Sequence, residues 1–178
     1  MGPRHSKAEI LDGALAAALE DGLSQLTFGR LAKRLGMSDR TIVYYFPSKE
    51  DLVGEVILAM GVQLQQALAV AFTAPAASHR ELMAAAWPVV ATAEHDRVFS
   101  LFFEANGLAA VGREPYRDLV PTLVEAWIDW AAAFIEGPPE HRRAEAETAV
   151  ALLDGLLLLR QLSGSDAGDR AAAAFGIR

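Results

Sequence analysis

Residues 27–52 read TFGRLAKRLGMSDRTIVYYFPSKEDL, and their spacing decides how the N-terminal part of this chain is built. Leu31, Ala32 and Leu35 recur at helical intervals, and Gly36 follows where a left-handed residue ends a helix most easily. Ser38 then offers an N-cap oxygen, and Ile42, Tyr45 and Phe46 make the apolar face of a second short helix. Ala32 is small and lets the two helices cross closely, while Ile42 closes the miniature core. Two helices joined this tightly form a helix-turn-helix, whose second helix is free to enter a DNA major groove.

Charge agrees with that reading. Between Thr27 and Lys49 stand five bases (Arg30, Lys33, Arg34, Arg40, Lys49) against one acid, Asp39, a local charge of +4. Residues 61–178 hold nine bases against fifteen acids, and the whole chain of 178 residues carries −7. One basic face on an acidic protein suits docking on a polyanion with a small surface.

These residues resemble the tetracycline-repressor (TetR) family of bacterial regulators, most strongly over 7–57. The family pattern is met by Thr27 opening the second helix, Ala32 and Gly36 about the turn, and Ser38 starting the recognition helix. It continues in the Tyr45-Phe46 pair and the run Ser48-Lys49-Glu50 with Leu52 soon after. One position departs: the family usually has tyrosine two residues before Tyr45, and this chain has Val43. The resemblance implies an all-α fold, with a three-helix DNA-binding head at 1–50 and a helical ligand-binding and dimerisation domain at 51–178. It implies a homodimer binding a palindromic operator and released by a small-molecule effector, most simply a repressor.

The DNA contacts follow from helical geometry and that resemblance. Thr27 and Lys49 lie at helix N-termini, where hydroxyl, ammonium and free backbone N–H groups meet phosphate. Asp39, Arg40, Val43 and Tyr44 fall opposite the Ile42–Phe46 face and point toward DNA, with Ser38 at the helix start. Arg40 is the base reader, its fork matching guanine O6 and N7. Asp39 either accepts from cytosine or answers the helix dipole. Tyr45 is partly core and reaches a phosphate with its hydroxyl. Arg4 and Lys7 are candidates for the DNA backbone.

The remainder reads as helix throughout: an amphipathic first helix ended near Gly22, a long helix after Ser48, and a helical pattern over 79–103 that Pro88 kinks or breaks. A loop over 107–115 precedes two strongly apolar helices, 116–135 and 140–162, and 163–169 reads as a flexible stretch before an Ala-rich tail. The last helix is apolar around most of its circumference, and Gly155 permits close approach. Such a helix needs partners on two sides, which in a short chain points to a second copy through Val120, Val124, Leu152, Leu156 and Leu159.

Trp87, Phe99, Phe102, Phe103, Trp127 and Trp130 are a large aromatic group, with Glu94, His95, Glu104 and Asn106 as scattered polar groups. They serve either as core or as the lining of an effector site, which is mostly apolar with a few convergent polar atoms. Catalysis is not expected. The histidines (His5, His79, His95, His141) make no metal-spaced pair, and there is no GxSxG, P-loop or GxGxxG. No metal or cofactor is expected either. Cysteine is absent, no signal peptide is visible, and 149–159 is too short to span a bilayer, so the expected place is the cytoplasm, without a membrane partner.

Overall fold

The computed structural model describes residues 6–177, so Arg4 and His5 lie outside the described part. Nine α-helices are present among these residues: α1 Lys7–Asp21, α2 Phe28–Leu35, α3 Asp39–Tyr45, α4 Lys49–Ala71, α5 His79–Val90, α6 Ala93–Ala110, α7 Tyr116–Ala132, α8 Pro139–Ser163 and α9 Ser165–Ala174. A single 3-10 turn, Leu23–Gln25, separates α1 from α2. The chain divides into two compact units: residues 1–63 with 101–119, and residues 64–100 with 120–178.

Caps set the helices of the first unit. Ser6 and Glu9 form a capping box at α1, each side chain taking the other's backbone N–H. Thr27 accepts from Arg30 N to open α2, Gly36 closes it at φ +67°, and Ser38 accepts from Thr41 N to open α3. At α4, Ser48 Oγ accepts from Asp51 N at 3.0 Å while Asp51 Oδ2 accepts from Ser48 N at 3.1 Å. Ile10, Ala14, Leu31, Ile42, Phe46, Leu52, Val53 and Val56 are buried together as the core of this unit. The helix α4 is long and apolar enough to cross a membrane, but its Leu52, Val53, Val56 and Ile57 are spent on burial within the protein.

A glycine in α1 also shapes the α1–α2 packing. A Cβ at Gly13 would stand 2.5 Å from Leu35 Cδ2, so Gly13 joins Ala32 in allowing this packing. Lys7 is tied to Glu55 by an ion pair and lies 5.3 Å from the Phe46 ring centroid. It therefore fastens α1 to the unit's own surface and is not a free backbone contact for DNA.

Later segments of the chain revise several expectations. Pro88 sits inside α5, which ends only at Val90; the missing N–H is tolerated for half a turn, and Thr92 then accepts from His95 N to start α6. The expected loop at 107–115 is half helix, because the left-handed stop is Gly112 (φ +74°) and not Gly107. The next helix ends at Ala132, and its continuation pairs instead with residues before α5: Ala76 N donates to Phe134 O at 2.8 Å and Glu136 N donates to Ala76 O at 2.9 Å.

The stretch expected to be flexible becomes α9, with Gly168 and Ala172 buried. A Cβ at Gly168 would meet Arg160 Cβ at 2.8 Å, so α9 closes on α8 through the absence of a side chain. Its sequence carries little hydrophobicity, and for that reason its pattern was silent. Gly155, expected to admit a close neighbour, has open space around it within the chain.

Candidate nucleic-acid interface

Ser38 and Ile42 orient α3 from inside. Ser38 Oγ takes Thr41 N at 3.3 Å and lies 3.0 Å from Thr41 Oγ1, while Ile42 and Phe46 are fully buried. The opposite face is left to water. Asp39 and Arg40 are exposed, Val43 is 41% exposed and Tyr44 is 80% exposed. Tyr44 stands edge-on to the half-buried Tyr45, ring centroids 4.9 Å apart, which limits the rotamers of both.

The basic charge is less available than its count suggests. Arg34 makes a two-pronged bond to Glu20, both distances 2.7 Å, and Arg30 Nη1 donates to Gln25 Oε1 at 2.6 Å. Among the described residues Lys33, Arg40 and Lys49 have no such partner. Lys49 is half-buried at the first residue of α4 and borders a cleft of about 380 Å³ with Ser24, Arg113 and Tyr116. Burial, with the charges of Glu104 and Glu50 added, pushes the Tyr116 hydroxyl up to about 12, so it stays a neutral donor. Thr27 is exposed, its hydroxyl oxygen accepting from Arg30 N at 3.3 Å.

Residues 10–56 match the family model of bacterial regulatory proteins, tetR family. Over those residues the chain is similar to the TetR family. Its fold is shared with solved TetR-type regulators along nearly the whole length. One from Rhodococcus sp. superposes with a TM-score of 0.72 at 19% identity, covering 94% of this chain and 95% of the other. One from Legionella pneumophila gives 0.68 at 22% identity with 100% of each chain covered. A transcriptional regulator from Saccharomonospora viridis, solved in complex with choline, gives 0.70 at 21% identity, covering 93% and 92%. No curated protein sequence matches the chain.

The aromatic residues fall into separate groups. In the first unit Phe102, Phe103 and Asn106 share one face of α6 and are half-buried, with the two rings 5.6 Å apart. Asn106 Oδ1 is buried with no hydrogen-bond partner. In the second unit Trp127 and Trp130 pack edge to face at 5.3 Å, and Trp130 also meets Phe134 at 4.9 Å and Phe72 at 5.7 Å. Trp87 and Phe99 are packed as core, 7% and 3% exposed, and the Trp87 indole N–H is satisfied by Asp169 Oδ1 at 3.1 Å. His95 Nδ1 lies 3.0 Å from Thr92 Oγ1, a local contact at the start of α6.

The leucines of α8 also separate. Leu156 is buried at 3% and Val120 at 8% within the chain's own fold, so neither is available to a second copy. Val124 and Leu152 are half-buried, and Leu159 is 37% exposed. Leu158 and Leu162, which the periodicity did not single out, are exposed at 40% and 77%. Glu104 acts through groups far away in sequence and Asp154 through burial, and neither leaves a local pattern.

Proposed function

We propose that this TetR-family protein is a ligand-responsive repressor that binds a palindromic operator as a homodimer. The observation that carries the reading is the outward face of α3, where unpaired Arg40, apolar Val43 and 80% exposed Tyr44 stand over a fully buried Ile42. Arg40 reads guanine, Val43 meets a thymine methyl, and Tyr44 and Tyr45 flank them. Thr27, Ser38 and Lys49 contact phosphates, and Asp39 helps orient the helix start. Two copies of α3 reach half-sites about one helical turn apart, ~34–36 Å.

Pairing uses the side of α8 that the chain leaves bare. Ala151, Gly155, Leu158, Leu159 and Leu162 are exposed there, and Gly155 has room for a neighbouring helix. The effector is a small, largely apolar molecule. Half-buried Phe102 and Phe103 with the unpartnered Asn106 oxygen, and the Trp127–Trp130 pair, are the candidate linings. A regulator of the same fold, solved in complex with choline, supports a small organic effector. Such a protein works in the cytoplasm, where its DNA is.

Selection of bound DNA from a random pool, followed by footprinting, tests this reading. A two-fold symmetric consensus protected by a dimer is the expected result. Binding without sequence preference at moderate salt would overturn it.

A further inference from the structure

The turn leading into the DNA-binding helices has no cap of its own. Gly22 ends α1 at φ +89° and stands at the N-cap of the 3-10 turn Leu23–Gln25, where it offers no side-chain acceptor. The first backbone N–H groups of such a turn must be satisfied from elsewhere. They are satisfied by Glu104, on α6 and about eighty residues away. Its Oε2 accepts from Leu23 N at 2.8 Å, its Oε1 accepts from Ser24 N at 2.9 Å, and the Ser24 hydroxyl also donates to Oε1. A Cβ on residue 22 would stand 3.0 Å from Glu104 Oε2, so glycine also makes the space for this carboxylate.

One ionised carboxylate thus takes three donors from two consecutive residues, and bonds to a charged acceptor are the stronger kind. The segment it holds runs directly into Leu26, which is buried, and Thr27, the N-cap of α2. Glu104 also follows Phe103 in the chain, and Phe103 and Asn106 are candidate effector contacts.

We propose that Glu104 is a positioning residue for the DNA-binding head. Its carboxylate serves as a remote cap that fixes the turn before Thr27. The inference rests on the DNA-binding reading above for its consequence, but not for its geometry.

The test compares Glu104→Gln, Glu104→Ala and Ser24→Ala in the full chain, by amide hydrogen exchange and by affinity for the selected operator. Ser24 is exposed, so its variant removes one bond without threatening the fold. Glu104→Ala is expected to speed exchange at Leu23 and Ser24 by about tenfold or more and to weaken operator binding by about tenfold, with Glu104→Gln intermediate. Protection in α3 and α4 and the melting temperature should change little. The proposal is overturned if exchange at Leu23, Ser24 and the first turn of α2 stays at the native rate in Glu104→Ala. It is equally overturned if that exchange rises while operator affinity stays within twofold. Should the unaltered protein select no DNA sequence, the regulatory reading fails, and exchange through Thr27–Leu35 still decides whether Glu104 holds the head.

Discussion

The Arg160 guanidinium, 8% exposed, grips the Asp96 carboxylate with Nε at 2.7 Å from Oδ1 and Nη2 at 3.2 Å from Oδ2. The contact joins the end of α8 to the beginning of α6, and Gln161 Nε2 adds a bond to the Asp96 carbonyl at 3.0 Å. Removing the acid alone would strand a buried cation. Asp96→Ala is therefore expected to cost about 2–3 kcal/mol, below the full penalty for a buried pair because Asp96 is partly open to water. Urea unfolding measures this, and the double replacement Asp96→Ala with Arg160→Met should recover at least half of the loss.

Gly168 is pressed against the same arginine. Adding a methyl there meets Arg160 Cβ at 2.8 Å and Cα at 3.3 Å, and Arg160 is held in place by Asp96. Alanine ordinarily strengthens a helix by about 1 kcal/mol over glycine. Here the overlap should outweigh that gain, and Gly168→Ala should lower stability by about 1 kcal/mol net. A melting temperature equal to or above the native value would mean that α9 can shift freely.

Two leucines of α8 give opposite expectations. Leu156 is buried at 3%, so Leu156→Glu should unfold or aggregate the protein, an isolated buried charge costing several kcal/mol. Leu162 is 77% exposed, so Leu162→Glu should fold normally and fail to dimerise. Sedimentation with circular dichroism separates these outcomes. A stable dimer for Leu162→Glu would remove this end of α8 from the interface.

Asp154 gives a pH signature. Burial pushes its carboxyl from the ordinary 3.8 up to about 6. An acid with a raised folded pKa keeps its proton better in the folded state, so its contribution declines as pH rises from about 4 through about 6 and is a constant penalty above. Asp154→Asn should thus stabilise the protein at pH 7.5 by on the order of 1–2 kcal/mol, after allowance for partial solvent access, and give nothing at pH 3.5. Equal effects at both values would show that the carboxyl is solvated.

On DNA, Arg40→Ala should cost ~1–3 kcal/mol on the selected site and relax one base position, whereas Lys49→Ala should weaken all sequences alike. In the proposed docking the exposed Val43 methyls face the groove, so replacing operator thymines by uracil one at a time should cost on the order of 0.5–1 kcal/mol at one position. Uniform tolerance of uracil would leave Val43 without a base contact.

The sequence by itself determined the helix-turn-helix, its caps and the basic face. Gly36 and Ser38, with the Ile42–Phe46 face, act across three or four residues, and chemistry at that range is written in local spacing. Tertiary structure alone decided the rest. A helix apolar nearly all round has no unique inward face by periodicity, so only packing could bury Leu156 and leave Leu162 bare. The same holds for α9, where an absent side chain at Gly168 is the adhesive and hydrophobicity is not. Glu104 meets Leu23 across 81 residues and Arg160 meets Asp96 across 64. A hydrogen bond over such a separation depends on where the folded backbone returns, and no local pattern records it.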